Sequence, residues 1–395
     1  MKSIKNTILF FSVYLLIFSY SNAQEKDNTF KITGEVTGLT GDLHFRHPNR
    51  KYTKENTTDI IKVVNGKINY TDTISKLSML RAYPSFDGSD SKVFKIPKDG
   101  KGYFPVKCAY LSFYAFPGAN ITINGEASDF MDMYPGGDKL NESLASANKL
   151  TFPYYNKMGN LAVKNTYETD SLIIKENNKK AEALFSTLKN ELVKHIKNNP
   201  KSLAAAWYLN DMLIRSQIEI SEAEELFNGL SSEELSEYPD YQDVATRIAG
   251  TKATKEGFPV PSIKTNATLD GKAFDIKSLQ GKYVLIDFWG LWCSPCVAEM
   301  PEVKVFQEKH KDNLVVVGIN SGDTKEKIQA FVEKHGYMWQ QLLSDKANTS
   351  DNFVNHFNVQ GFPTKLIIDR RGNIVKRFVG GGEEAFKLLE ELLEK

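Results

Sequence analysis

The last third of the chain alternates short apolar runs with segments of helical pattern, and this alternation constrains the fold more than any other feature. The runs KYVLIDFW, NLVVVGIN and TKLIIDR have the length and composition of strands, and the segments between them carry apolar residues at helical spacing. Two final runs on either side of Arg371-Gly372-Asn373 predict an antiparallel pair. Because strands that alternate with helices form a sheet covered by helices, residues 253–395 are predicted to form an α/β domain with a central mixed sheet.

The first part of the chain has a different pattern, typical of a small antiparallel β domain. The segment TDIIKVVNGKINYTDTI has two alternating runs around Asn65-Gly66, a dipeptide that favours a tight hairpin, and LSFYAFPGANITINGE repeats the arrangement around Pro117-Gly118. We predict a β-sandwich-like domain over residues 24–136. Residues 137–252 are predicted to be a helical segment, in which Pro200 ends one helix and Ser202 caps the next. The chain is thus multidomain.

The N-terminal end has the parts of a secretory signal peptide. Lys2 and Lys5 precede an apolar run over residues 8–20, and Ser21-Asn22-Ala23 supplies the small residues of a signal-peptidase site. The run is shorter than the roughly 20 apolar residues of a membrane span. We predict a signal peptide over residues 1–23 and a periplasmic protein secreted across the inner membrane, with an uncleaved N-terminal anchor as the alternative.

The formal net charge is only +1, so we expect no nucleic-acid partner.

Two of the three cysteines, Cys293 and Cys296, are separated by two residues and follow the carboxyl end of the KYVLIDFW run, at the start of a predicted helix. The start of a helix carries unpaired N–H groups and the positive end of its dipole, which stabilise a thiolate. We expect Cys293 to be the exposed attacking sulfur and Cys296 to be the buried sulfur that resolves the mixed disulfide. Pro295 suits the first helical turn because it has no N–H to leave unpaired. Trp292 is expected to line one side of the site, although a tryptophan at this position is equally typical of the hydrophobic core.

Other roles for the cysteine pair fit the sequence less well. A structural zinc site normally takes four Cys or His ligands, and no second C-x-x-C or H-x3-5-H pair occurs here, so we expect no metal. A structural disulfide across two residues closes too short a loop to stabilise much through chain entropy. The third cysteine, Cys108, has apolar neighbours and is interpreted as a small buried hydrophobe. We therefore predict thiol chemistry, with no cofactor beyond the redox-active cysteine pair.

The stretch DFWGLWCSPCVAEMP resembles the thioredoxin superfamily, and its W-C-x-P-C-x-x-E-x-P pattern resembles the extracytoplasmic TlpA/ResA-like thiol-disulfide oxidoreductases. The resemblance covers about residues 258–395 and includes Gly361-Phe362-Pro363-Thr364 before a strand. It implies a thioredoxin-like fold in which Pro363 is cis and faces the disulfide, while the backbone of Phe362 pairs with an extended substrate. The first two thirds resemble, more distantly, the β domain and helical segment without a well-defined activity that precede such domains in Bacteroidota.

The same resemblance implies roles for two acidic residues. Asp287 matches the buried acid of thioredoxin, which carries a proton for the inner cysteine, and Glu299 matches the acid of the TlpA/ResA pattern, three residues after Cys296. A carboxyl group in an apolar pocket has a raised pKa and can exchange protons near neutrality. The alternatives are a solvent-facing strand residue for Asp287 and a helix-surface charge for Glu299. The lysine that partners thioredoxin's acid aligns with Gly318, which argues against an ion pair of that kind here.

The direction of electron flow is predicted from the residue before the second cysteine. A proline there resembles the reducing members of the superfamily more than the strong oxidants, which usually have histidine. We predict a protein-disulfide reductase with a disulfide-containing envelope protein as substrate, for which an apocytochrome c in cytochrome c biogenesis is one consistent example, and with a membrane thiol-disulfide electron donor. The alternatives are an envelope binding protein acting through its N-terminal region, an oxidase or isomerase, and a thiol peroxidase, whose usual P-x3-T-x2-C environment is missing from DFWGLWC.

Overall fold

The structure is a computed structural model that describes residues 28–53, 56–85, 109–127, 130–347 and 349–394. The predicted signal peptide and Cys108 lie outside the described residues. Within these ranges, no helix combines the length and the apolar character needed to cross a membrane.

Two β sheets share one apolar core in the N-terminal region. The first sheet has the strand order β4-β5-β1-β8-β9 and the second has the order β3-β2-β6-β7. The core joins Ile32 and Ile121 of the first sheet to Leu80 and Phe113 of the second. The strands are β1 Thr29–Thr37, β2 Leu43–Phe45, β3 Asp59–Ile61, β4 Val63–Val64, β5 Lys67–Thr73, β6 Ser78–Pro84, β7 Leu111–Ala115, β8 Asn120–Glu126 and β9 Asp132–Gly136. The predicted sheet region is confirmed.

The two predicted turns of this region have different outcomes. Asn65 and Gly66 join β4 to β5 with φ values of 52° and 76°, the positive values that a tight hairpin turn of this type requires, so that prediction is confirmed. The hairpin predicted around Pro117-Gly118 is wrong, because β7 and β8 belong to different sheets and the turn passes the chain from one sheet to the other.

One pairing also departs from the antiparallel arrangement that we predicted. Strand β1 pairs with β8 in parallel, with Ile32 opposite Ile121. The chain leaves the first sheet after β5, forms β6 and β7 of the second sheet, and then returns beside β1. Because such a long connection is not restricted to hairpin geometry, the returning strand can run parallel to its neighbour.

Six helices follow in the described residues of the middle region, namely α1 Lys139–Tyr167, α2 Ser171–Asn198, α3 Leu203–Ile214, α4 Ile220–Gly229, α5 Ser232–Leu235 and α6 Pro239–Ala253. As predicted, α2 ends before Pro200, and the Ser202 side chain caps α3 by accepting from the Ala205 N–H at 3.1 Å. Fully buried Asn141 of α1 joins this region to β7, since its amide accepts from the Tyr114 N–H at 2.8 Å and donates to the Tyr114 carbonyl at 2.9 Å. The division of the chain at residues 136 and 252 stays a prediction.

The C-terminal region is a mixed sheet in the order β14-β13-β12-β15-β16, covered on both faces. Strands β12, β13 and β14 are parallel, and β15 and β16 are antiparallel to their neighbours. The antiparallel pair of β15 and β16 was predicted from the sequence, whereas β14 was not among the predicted strands. Buried residues of α7, α8 and α10 form the core on one face, and those of α9 pack on the other. The elements are β10 Lys264–Thr265, β11 Phe274–Asp275, a 3-10 helix Ile276–Leu279, β12 Tyr283–Trp289, α7 Ser294–Lys309, β13 Leu314–Ser321, α8 Lys325–His335, β14 Gln340–Ser344, α9 Phe353–His356, β15 Thr364–Ile368, β16 Ile374–Val379 and α10 Glu383–Leu393.

The helical segment contacts the C-terminal region through α6 and α9. Buried Arg247 of α6 donates to Asn355 Oδ1 at 2.6 Å and to Asn358 Oδ1 at 3.2 Å. Gly250, one turn further along α6, lies so close to α9 that a Cβ atom there would be 2.3 Å from the carbonyl oxygen of His356. The absence of a side chain at Gly250 therefore permits this contact.

We expect Gly250→Ala to destabilise the protein, although alanine is the better helix former by about 1 kcal/mol. The new Cβ would meet the backbone oxygen and carbon of His356 at 2.3 and 2.8 Å, so α6 and α9 must separate, which we expect to cost about 1 to 3 kcal/mol. Thermal unfolding measures the effect. Gly229→Ala, at the end of α4, is the matched control because nothing lies within 4 Å of its added Cβ. Equal stability of the two variants would contradict this account of the interface.

An acidic residue of α6, Asp240, predicts that the stability of the protein depends on pH. Burial raises the pKa of Asp240 to about 7 and the carboxylate of Asp243 adds to the rise, while a hydrogen bond from Asn210 and the charge of Arg81 oppose it. The folded protein therefore keeps a proton that the unfolded chain loses near pH 4, so stability is lost as the pH rises from about 4 to about 7. Because Asp240 keeps partial access to solvent, we expect a loss of about 2 kcal/mol rather than the full equivalent of the shift.

Asp240→Asn should remove this part of the pH dependence. We would measure the free energy of unfolding of the variant and of the parent chain at about pH 5 and at about pH 8. Between these two pH values the parent chain should lose more stability than the variant. Asp312→Asn replaces an exposed carboxylate and is the matched control. The same loss between the two pH values in Asp240→Asn and in the parent would refute the prediction.

Candidate functional site: a cysteine pair at a helix start

The cysteine pair lies where β12 ends and α7 begins, as the sequence predicts. Cys293 is the N-cap residue of α7, and a disulfide joins it to Cys296, with the two Cα atoms 5.3 Å apart. The Sγ atom of Cys293 accepts a hydrogen bond from the Cys296 N–H at 3.2 Å. The first N–H groups of a helix have no partner within the helix, and here one of them is directed at sulfur. A negative charge on Cys293 would therefore be stabilised by a donated N–H and by the positive end of the helix.

The two sulfurs differ less in exposure than we expected. Cys296 is 1% exposed, and Cys293 is only 5% exposed rather than open to solvent. In this disulfide form the sulfur of Cys293 lies against the first turn of α7, where it accepts from the Cys296 N–H. The expectation of an exposed Cys293 is therefore wrong for the disulfide form.

Two aromatic side chains form the surface beside the disulfide, and we call Trp292 and Phe362 the aromatic rim. Trp292 is 57% exposed, its indole N–H donates to the Ser321 carbonyl at 2.8 Å, and its ring meets Phe362 edge to face at 4.9 Å. The peptide bond between Phe362 and buried Pro363 is cis, and Pro295 is exposed in the first turn of α7. The sequence predicted four residues that contact substrate. Two of them, Trp292 and Pro295, lie at the start of α7, and the other two, Phe362 and Pro363, directly precede β15.

Asp287 lies in β12, under the face of the sheet that α7 covers. Its neighbours at period two, Leu285 and Trp289, belong to the core on the cysteine side, and Asp287 itself is 2% exposed. The residue opposite it on β13 is Gly318, and the residue opposite it on β15 is Lys365. The alternative of a solvent-facing strand residue is therefore excluded.

Lys365 is a buried ammonium group between both acids. Its Nζ lies 2.6 Å from Glu299 Oε2 and 3.2 Å from Asp287 Oδ1, and its side chain is 1% exposed. The other oxygen of Glu299, Oε1, accepts from the Gly382 N–H at 2.6 Å. Glu299 is thus directed inward from α7 with its side chain 16% exposed, and it is not a helix-surface charge.

The pKa values of this buried cluster shift for identifiable reasons. Burial raises the pKa of Asp287 above its usual value, the charge of Lys365 opposes the rise, and the charge of Glu299 adds to it. Burial alone would lower the pKa of Lys365, but Asp287 and Glu299 outweigh burial, so that its pKa is raised and it stays protonated. A protonated lysine with two carboxyl groups is the arrangement we expect at neutral pH.

Sequence reasoning found both acids and missed the lysine. The resemblance to thioredoxin predicts a cation on the β13 side of Asp287, but the residue there is Gly318. A Cβ atom added at Gly318 would lie 2.3 Å from Gln341 Oε1, so this position has no room for a lysine side chain. The cation comes instead from β15, on the opposite side of β12. A lysine directly after the Pro363-Thr364 pair, inside an otherwise apolar strand, was the available signal.

The described residues contain no group of three or more His, Cys, Asp or Glu side chains that could hold a metal ion. The mixed sheet covered by helices, with a disulfide at the start of α7, is the arrangement of a thioredoxin-like domain. Comparison with known proteins agrees with this class. A family model described as Redoxin matches residues 255–393.

Curated relatives match about a third of the chain. The thiol-disulfide oxidoreductase ResA of Halalkalibacterium halodurans is 30% identical over 127 residues, which are 32% of this chain and 69% of the relative. The thioredoxin-like protein YneN of Bacillus subtilis is 32% identical over 143 residues, 35% of this chain and 79% of the relative. A solved thioredoxin domain of a thiol-disulfide oxidoreductase from Bacteroides vulgatus is 26% identical, with 35% of this chain and 98% of that one covered and a TM-score of 0.32, too low to carry an argument by itself.

The chain belongs to the TlpA/ResA-like family of the thioredoxin superfamily and is a thiol-disulfide oxidoreductase. Such oxidoreductases act on disulfide-containing substrates and exchange electrons with redox partners. The family model matches residues 255–393, so the N-terminal β sheets and the helical segment lie outside the matched residues.

Proposed function

We propose that the protein is an extracytoplasmic protein-disulfide reductase that works by dithiol exchange through Cys293 and Cys296. The observation that carries the proposal is the disulfide held at the start of α7, with the sulfur of Cys293 receiving the Cys296 N–H. The aromatic rim supports a protein substrate, because exposed Trp292 and half-buried Phe362 offer an apolar surface next to the reacting sulfur. Membership of the family supports the reaction class.

The reaction transfers two electrons from the protein dithiol to a substrate disulfide. The Cys293 thiolate attacks one substrate sulfur, the substrate S–S bond breaks, and the other substrate sulfur leaves as a thiolate that takes a proton from solvent. Cys296 then gives up its proton and attacks Cys293, which breaks the mixed disulfide and releases the second substrate thiolate. The protein ends as the disulfide that the structure contains, and the substrate ends as a dithiol.

The site residues divide these tasks. Cys293 attacks and Cys296 resolves, while Asp287 and Glu299 provide for the proton of the inner thiol. Trp292, Pro295, Phe362 and Pro363 contact the substrate chain around the sulfur. A membrane thiol-disulfide protein would return the disulfide to the dithiol, so the pair needs no further cofactor.

The direction rests on Pro295 and on the predicted export of the chain. A proline before the second cysteine favours a reducing couple, and the signal peptide predicted over residues 1–23 supports a reaction in the periplasm, on envelope proteins. Apocytochrome c fits this substrate class, as does any envelope protein with an accessible disulfide.

Two assays on the full chain test the direction. In the first, the reduced protein is mixed with insulin and precipitation of the freed insulin chain is followed. In the second, the disulfide form is mixed with a reduced, unfolded protein that needs disulfides to fold. A reductase is fast in the first assay and slow in the second, and the reverse order would make the protein an oxidase or isomerase instead.

A further inference from the structure

The loop between α9 and β15 carries one half of the aromatic rim, and we call its residues 357–363 the rim loop. Phe362 lies near the end of this loop, and its ring contacts that of Trp292, the residue before Cys293. Because a loop lacks the hydrogen-bond ladder of a helix or a strand, its position depends on the groups that bind its backbone and side chains. The contacts of the rim loop therefore decide where Phe362 lies.

The C-terminal region itself holds the two ends of the rim loop. Arg377 of β16 donates to the carbonyl of Phe357 at 2.6 Å and to that of Asn358 at 3.2 Å. At the other end, the Gly380 N–H donates to the Pro363 carbonyl at 2.9 Å. All of these donors and acceptors belong to the part of the chain that the family model matches.

The middle of the rim loop is held by the helical segment, beginning with α6. Arg247 donates to Asn358 Oδ1 at 3.2 Å and to the Val359 carbonyl at 3.4 Å. The Asn358 amide in turn donates to Thr251 Oγ1, also on α6, at 2.6 Å. The φ angle of Asn358 is 43°, a left-handed conformation that asparagine adopts more readily than most residues. The bonds to α6 thus hold the loop at a residue with an uncommon backbone conformation.

Gln360 connects the rim loop to a second helix. Its Nε2 donates at 2.8 Å to the carbonyl of Leu213, in the last turn of α3, where carbonyl groups have no partner within a regular helix. Gln360 is half-buried and precedes Phe362 by two residues, so their Cα atoms are at most about 7 Å apart. Among these contacts with the helical segment, that of Gln360 is the closest in sequence to the aromatic rim.

We propose that the helical segment positions the rim loop for protein substrates, and that Gln360 is the positioning residue nearest to the aromatic rim. A protein whose disulfide reaches Cys293 also contacts Phe362, so displacement of the rim weakens its binding. A small disulfide reacts with the sulfur and gains little from the rim. The helical segment, which lies outside the matched residues, thereby acquires a role in substrate recognition. This proposal rests on the proposed thiol exchange of the cysteine pair.

The test compares insulin with cystamine, a small disulfide, as substrates of the full chain. Gln360→Leu removes the donor but leaves the Leu213 carbonyl with the Ser216 N–H at 3.2 Å, so this acceptor keeps a partner. We expect the KM for insulin to rise about five-fold with kcat unchanged, the effect of losing one neutral hydrogen bond that contributes to binding. The rate of reaction with cystamine and the reduction potential of the cysteine pair should stay at their parent values.

Two further variants complete the test. Gln280→Leu is the matched control, because Gln280 is an exposed glutamine that precedes β12, whereas the cysteine pair follows the other end of that strand. It should leave the reaction with both substrates unchanged. Thr251→Val removes the α6 partner of the Asn358 amide without changing the C-terminal region, and it should also raise the KM for insulin alone.

A KM for insulin within about two-fold of the parent in Gln360→Leu, or an equal loss of activity with insulin and cystamine, would overturn the proposal. If Gln360→Leu does not fold, Thr251→Val decides by the same criteria. A parent chain that does not reduce insulin would contradict the reductase function instead. The comparison is then made in the opposite direction, with a reduced, unfolded protein and the small thiol cysteamine as substrates of the disulfide form, so the two failures are distinguishable.

Discussion

We expect Cys293→Ser to reduce insulin no faster than the uncatalysed reaction, and we expect Cys296→Ser to stop the reaction at a covalent intermediate. A serine hydroxyl does not form the anion that attacks sulfur at neutral pH, so the first variant lacks a nucleophile. The second variant keeps the nucleophile at the start of α7 but lacks the sulfur that displaces the substrate from it. The chain carrying Cys296→Ser should therefore accumulate a mixed disulfide with a model substrate.

Non-reducing electrophoresis and mass spectrometry of the trapped species measure this outcome. Cys108→Ser is the matched control, because it removes the third cysteine of the chain without touching the pair. We expect it to reduce insulin at the parent rate. Activity of Cys293→Ser comparable to the parent, or an adduct that forms equally well on Cys108, would rule out the assignment of the attacking sulfur.

Asp287→Asn should slow insulin reduction by about 100-fold near neutral pH, because general acid–base groups typically contribute at least that much. The amide cannot take the proton of the Cys296 thiol, and burial of Asp287 at 2% exposure leaves little access for water to replace it. The first attack, by Cys293, does not need this proton transfer. The variant should therefore form the mixed disulfide at the normal rate and resolve it slowly.

Rapid quenching at a series of times distinguishes the two steps. The mixed disulfide should accumulate transiently in Asp287→Asn and stay scarce in the parent chain. Asp312→Asn replaces an exposed aspartate and serves as the control for the same chemical change. A variant that forms the mixed disulfide slowly, or one that turns over at the parent rate, would show that Asp287 has no part in the resolving step.

Local sequence signals predicted the parts of this fold that depend on neighbouring residues. Asn65 and Gly66 form the predicted turn because both residues adopt the positive φ values that it requires. Ser202 caps α3 by accepting from the N–H of Ala205, only three residues later in the chain. Pro117-Gly118 shows the limit of such signals, because it forms a turn but cannot specify which sheet the next strand joins. The parallel pairing of β1 with β8 depends on the same long-range choice.

The site divides in the same way between local and distant determinants. The helix start, the cysteine spacing and the two acids were visible in one stretch around Cys293. Lys365 was not recognised because its distance from Asp287 depends on the register of β12 and β15, strands that are far apart in the chain. The near burial of Cys293 likewise depends on the side chains that pack around it in the folded domain, which sequence spacing alone does not describe.

The reduction potential of the Cys293–Cys296 couple tests the central claim most directly. It would be measured in the full chain by equilibration with redox buffers of known potential. A reductase predicts a value near that of thioredoxin, about −270 mV, and a value near the strong oxidant DsbA, about −120 mV, would contradict the reductase assignment.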